Sequence, residues 1–123
     1  MNDSIKNLFK EGIQVKVNGS LWLQAGGIHF FGPGPVELLE RINETGSINA
    51  AAKEMKMSYK KAWELVNTLN QQMKAPVVIP QTGGEKGGGS TLTSEAMQLI
   101  QYHREMRQRF AAFLENETRL LNQ

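Results

Sequence analysis

Two serines eleven positions apart, Ser47 and Ser58, each open a helically spaced run, and no other feature of the 123-residue sequence restricts the fold so tightly. A serine at the N-cap accepts a hydrogen bond from a backbone N–H of the first turn, so each start is set locally. The first run, SINAAAKEMKM, places Ile48, Ala51, Ala52 and Met55 on one narrow face of mostly small side chains, against which another helix can approach closely. The second, SYKKAWELVNTLNQQMK, sets Ala62, Val66, Leu69 and Met73 at i, i+4, i+7 and i+11. Only a tight turn fits between them. Two short helices joined in this way, the second rich in lysine, predict a helix-turn-helix over residues 47–74.

The flanks extend the pattern. Upstream, IQVKV (13–17) and SLWLQ (20–24) border Asn18-Gly19, a dipeptide suited to positive φ at both centres of a hairpin turn. Gly26-Gly27 offers a second turn into IHFF, so a small three-stranded meander is expected over 13–31. Pro35 suits the first position of the next helix, where a missing N–H has no consequence, and Val36, Leu38, Leu39 and Ile42 then keep helical spacing until Gly46. Three helices are therefore expected within 35–74. Downstream, the β-branched run after Pro76 leads into TGGEKGGGS, and Thr91-Leu92 can return as a partner strand, framing a hairpin wing over 77–92. Thr93 can cap a final helix over 93–121, with Ala96, Leu99, Ile100, His103, Met106, Phe110, Phe113, Leu114, Leu120 and Leu121 on one seam. Such a helix is roughly 40 Å long. A domain of this size cannot cover it, so its distal part is expected to pair with a second copy. The fold class expected is α+β: a winged helix-turn-helix in a single domain over 1–123, with an N-terminal β-hairpin or meander and a long C-terminal dimerisation helix.

Several functions are excluded by what the sequence lacks. There is no cysteine, and His29 and His103 lie far apart without a carboxylate-rich motif, so neither a thiolate metal site nor a histidine one is expected. No serine has a histidine or carboxylate pair beside it to make a nucleophile, and no enzyme activity or cofactor is expected. A P-loop requires glycine directly before its lysine and a hydroxyl directly after it, whereas Lys86 follows Glu85 and precedes Gly87. No stretch approaches the roughly 20 apolar residues of a membrane span, and the N-terminus has no signal-peptide core, which reads as a soluble cytoplasmic protein.

The charge distribution is more informative than the net charge of +2. Residues 53–86 hold six lysines against three glutamates, and Lys53, Lys56, Lys60 and Lys61 crowd into nine positions beside Tyr59 and Trp63. Clustering of this kind is the footprint of a polyanion-binding face. The buried stripe of the second motif helix turns Tyr59, Lys60, Trp63, Glu64 and Asn67 outward, where they can enter a major groove. Lys60 and Lys61 suit phosphate or guanine, Asn67 an adenine edge, and the Tyr59 hydroxyl a phosphate. Trp63 reads either as packing, in the core or a dimer, or as a base contact. Ser47, Asn49 and Ser58 stand in the opening turns of the two motif helices and complete the candidate DNA-binding set on that side. The wing tip adds Thr82, Gly83, Gly84, Lys86 and Gly87, whose glycines let backbone N–H groups approach phosphates. His103 reads as a structural histidine on the apolar seam.

The segments GSINAAA, SYKKAW and GGEKGGGSTLT, in this order and spacing, resemble the N-terminal DNA-binding domain of the molybdate-responsive (ModE-type) transcription regulators, a winged helix akin to the LysR-type domain. The resemblance covers roughly residues 15–105. It implies that Ser47 begins the first motif helix, that Ser58 to Lys61 open the recognition helix, that Thr82 to Ser90 form the wing, and that the last helix dimerises. The partner implied is double-stranded DNA, bound by a homodimer that regulates transcription, with molybdenum-related genes as the implied targets. Family members continue into small β-barrel domains that bind molybdate or tungstate, and this sequence ends at Gln123. Molybdate sensing, if any, is therefore expected through another chain. Two other readings stay open: a winged-helix protein-interaction module that has lost DNA binding, and a small-ligand sensor with a pocket beneath the long helix.

Overall fold

The computed structural model describes residues 4–81 and 89–123. After a 3-10 turn at Ile5–Leu8, the elements are β1 (Leu23–Ala25), β2 (Ile28–Phe31), α1 (Pro33–Thr45), α2 (Ile48–Glu54), α3 (Tyr59–Gln71), β3 (Val78–Gln81), β4 (Gly89–Leu92) and α4 (Ser94–Leu121). β1 pairs with β2 and β3 with β4, both antiparallel, as two separate two-stranded sheets. This is an α+β winged helix-turn-helix: three helices, a hairpin wing and a long closing helix.

The helix starts follow their caps. Ser47 accepts from Ala50 N–H at 3.1 Å, Ser58 from Lys61 N–H at 3.0 Å, and Thr93 from Ala96 N–H at 3.2 Å. Each satisfies one of the donors that a helix start leaves without an internal partner. α1 stops at Gly46, whose φ of 75° is the left-handed value that closes a helix. α1 begins two residues before the expected position: Pro33 takes the first turn behind Gly32, and the first i to i−4 bond is Val36 N–H to Gly32 O at 2.9 Å. Pro35 fits within that turn because its missing N–H still falls among the unpartnered donors.

The core gathers the inward faces. Leu38, Leu39 and Ile42 of α1, Ala51 and Ala52 of α2, Ala62, Val66 and Leu69 of α3, Phe31 of β2, Val77, Val78, and Ala96 and Ile100 of α4 are all buried. The alanines of α2 let α1 and α3 approach closely. The wing is stitched to this core at both ends. Val77 N–H donates to Asn70 Oδ1 at 2.7 Å, Thr93 N–H to Val77 O at 3.0 Å, and Ser90 N–H to Gly46 O at 2.8 Å. β3 and β4 run from Val78 opposite Leu92 to Gln81 opposite Gly89.

The N-terminal segment departs from expectation. No strand forms over residues 13–22, and Asn18-Gly19 does not make a hairpin: Gly19 keeps φ outside the positive range that the turn would require. The meander is instead a single hairpin turning at Gly26-Gly27, with φ of 55° and 80°. Residues 13–22 run without a strand partner along the distal part of α4. There Val17 N–H donates to Thr118 Oγ1 at 2.9 Å, and Asn122 Nδ2 donates to Val15 O at 2.8 Å. Two backbone groups that a hairpin could have paired, Val17 N–H and Val15 O, take helix side chains as partners instead. Gly32 is held to glycine by contact, because a Cβ there would collide with the Trp22 indole. Among the described residues, no helix is long and apolar enough to cross a membrane.

Candidate nucleic-acid interface

α3 separates its faces cleanly. Ala62, Val66 and Leu69 are buried, while Lys60, Lys61 and Glu64 are exposed, Tyr59 and Trp63 are about half exposed at 52% and 48%, and Asn67 is half-buried. The packing reading of Trp63 does not hold within this chain, since its ring stands outside the core. Tyr59 and Trp63, four residues apart on one side of the helix, border a groove of about 330 Å³ with Ile48, Asn67 and Asn70 on one wall and Pro80, Gly89 and Ser90 of the wing on the other. Recognition helix and wing thus share one continuous surface. Ser47 and Ser58 stand where expected, but their hydroxyl oxygens are engaged as cap acceptors. Asn49 is exposed in the first turn of α2. The wing-tip residues Thr82, Gly83, Gly84, Lys86 and Gly87 lie outside the described residues.

The electrostatics of this side depend on an ion pair. Glu54, the carboxylate inside the lysine run, is held by Arg41 at 2.9 Å, and Arg41 also binds Glu37 at 2.8 Å. Hydrogen bonds to Glu54 and then Glu37 raise the pKa of the Arg41 guanidinium further above its ordinary value. Among the described residues, Lys53, Lys56, Lys60 and Lys61 form no ion pair. Pairing Glu54 toward α1 leaves their positive charge facing outward.

Lys56 is a residue that sequence reading passed over as a possible strain point. α2 ends in a Schellman arrangement, with Met57 N–H to Ala52 O at 3.0 Å and Lys56 N–H to Lys53 O at 3.1 Å, and this places Lys56 at φ 57°. Glycine takes that conformation at little cost, while a lysine there costs about 1 kcal/mol or more. The signal available was the sequence KMS itself: a turn too short to hold anything but one left-handed residue, with no glycine or asparagine to supply it. Asn70 was also passed over. It is the side chain that fixes the α3 to β3 corner, and so the angle between recognition helix and wing.

No group of three or more His, Cys, Asp or Glu residues that could hold a metal ion occurs among the described residues. What the surface offers is a basic helix end, two exposed aromatic rings and a hairpin edge, the chemistry of phosphate and base-edge contact.

Residues 35–97 match the bacterial regulatory helix-turn-helix proteins of the lysR family, a span from α1 through both wing strands into α4, and the chain belongs to this family. Within it the chain is similar to ModE-type regulators. It is 43% identical over 74 residues to the transcriptional regulator ModE of Haemophilus influenzae, covering 60% of this chain and 29% of that protein. It is 49% identical over 65 residues to the molybdenum-pterin-binding protein MopB of Rhodobacter capsulatus, covering 53% and 24%. It is 40% identical over 74 residues to the DNA-binding transcriptional dual regulator ModE of Escherichia coli K12, covering 60% and 28%. The matched segment spans 24–29% of the length of these relatives.

Proposed function

We propose that this protein is a transcriptional regulator that binds duplex DNA sequence-specifically as a homodimer, with residues 1–123 acting as one winged-helix unit. α3 enters the major groove, with Lys60 and Lys61 on phosphate or guanine and Asn67 on an adenine edge, and the wing, including Lys86, lies on flanking phosphates or the minor groove. Ser47, Asn49 and Ser58 border the same phosphates. The observation that carries the reading is the outward lysine face of the helix-turn-helix, freed by the Arg41–Glu54 pair and continuous with the wing. Dimerisation runs through the distal part of α4, where Phe113 and Leu120 remain exposed on an otherwise apolar seam. Two recognition helices then meet a pseudo-palindromic site with half-sites about 34 Å apart. The printed names of the relatives point to molybdenum-related genes as targets.

Capture of fragmented genomic DNA by the purified protein at about 150 mM salt, followed by sequencing, tests this, because weak phosphate attraction is much reduced at that ionic strength. The expected result is one shared, roughly palindromic motif upstream of a few operons, some of them concerned with molybdenum. Uniform retention or none would contradict the reading and favour a protein-interaction module.

A further inference from the structure

Among the described residues, the polar group least accounted for by the fold is His103. It is 1% exposed, its ring meets Phe31 edge-on with centroids 5.4 Å apart, and its Nε2 has no hydrogen-bond partner among the described residues. A buried polar atom left unpaired costs about 1–3 kcal/mol, so such atoms in native folds are normally answered from somewhere. The residue borders two cavities: one of about 800 Å³ between α4 and the extended segment 14–21, and one of about 280 Å³ between α4 and α1. Arg107, one turn further along α4, borders both as well, and Lys16 borders the larger from the extended segment. Neither cation forms an ion pair among the described residues. Glu115 is the one carboxylate in the larger lining, and Leu21, Pro33, Phe110 and Leu114 give that cavity an apolar wall.

We propose that the larger cavity is a binding site for a small organic anion, a carboxylate carried on an apolar body. The carboxylate takes the Arg107 guanidinium and the Nε2–H of His103, and the body lies against Phe110 and Leu114. Arginine's planar fork matches a carboxylate with two parallel hydrogen bonds. Burial, and then the charge of Arg107, push the His103 pKa down against the opposing pull of Glu40, which keeps the ring neutral at neutral pH. A neutral imidazole carries a single N–H, and an acceptor in the cavity selects the tautomer that places it on Nε2. An inorganic oxyanion would answer the cations and leave the apolar wall in water, so the ligand needs both parts. A volume of this size is within the range of sites for organic ligands, roughly 300–1,000 Å³. None of the lysines on the α2–α3 face borders this cavity, so the proposal stands apart from the DNA-binding reading.

The test is titration of the ¹⁵N-labelled full chain with 1-naphthoate, followed through amide shifts, with neutral 1-naphthalenemethanol and sodium phosphate as controls. The expected result is saturable shifts at Val17, Ser20, Arg107 and Thr118, absent with both controls. Arg107 is exposed, so Arg107→Gln leaves the fold intact, and it should weaken binding about tenfold, the size of one charge-assisted hydrogen bond. No saturable shift, an equal response to the neutral alcohol, or unchanged affinity in Arg107→Gln would overturn the proposal.

Discussion

α3 and the distal part of α4 obey the same helical spacing and end in opposite situations. On the α3 stripe Ala62, Val66 and Leu69 are at most 6% exposed, while Met73, the fourth position that the spacing placed there, falls past the helix end at Gln71 and is half-buried. In α4 the equivalent seam is buried at Ala96, Ile100 and His103, and further along Phe113 and Leu120 are 56% and 45% exposed. Periodicity identifies the apolar face of a helix and says nothing of what covers it. For α3 the cover is α2, β2 and α1, all from the sequence that precedes it. Among the described residues, the end of α4 is met by the thin extended segment 13–22, bonded through Val17 and Val15, and by Ser4 and Lys6, which donate to the carbonyls of Gln123 and Asn122.

That contrast can be broken first by truncating each stripe. Leu69→Ala should cost about 2–5 kcal/mol, since it opens a cavity in a filled core. Leu120→Ala in dilute solution should cost roughly 0.5 kcal/mol or less, as for other exposed sites. Urea unfolding of the two variants measures both, and equal losses would mean that α4 is packed throughout the isolated chain. A second pair acts on the motif turn. Ser58→Ala removes the α3 cap and should cost about 1 kcal/mol. Lys56→Gly should instead raise stability by roughly 0.5 kcal/mol, the relief of the left-handed lysine less the entropy of glycine. Thermal melts of the two should move in opposite directions.

The smallest effect expected is a pH dependence set by His103. Its folded pKa is lowered, so the unfolded chain binds the proton more readily than the folded one. The stabilisation is fully present above the unfolded histidine value, about 6.5, and is lost as pH falls from there toward the lower folded value. Glu40 and Arg107 are the charged groups that act on it. Melting midpoints between pH 7.5 and 5 should fall in the native chain and fall less in His103→Gln.

Features that depend on one or two adjacent residues were legible in the sequence: the caps Ser47, Ser58 and Thr93, the stop at Gly46 and the turn at Gly26-Gly27. Those whose determinants are distant were not. Asn18-Gly19 carries a strong local hairpin signal, but its flanking segment bonds to Thr118 and Asn122, about a hundred positions away. A hairpin preference of that kind yields once the backbone groups find other partners. The start of α1 slipped because two prolines compete for the first turn, and only the bond from Val36 to Gly32 decides between them. On the candidate surface, the lysines and outward aromatics followed from the α3 stripe alone. The strain at Lys56, the Glu54 pairing and the Asn70 corner were hidden because each depends on the close of a helix or on a contact between elements.

The central claim is that the lysine end of α3 meets DNA phosphates. The most direct measurement is the salt dependence of binding to a captured duplex by the native chain and by the Lys60→Ala, Lys61→Ala double variant. Each phosphate contact contributes about 0.9 to the slope of log affinity against log salt, so the account predicts weaker binding and a slope shallower by nearly 2. Superimposable lines would contradict it.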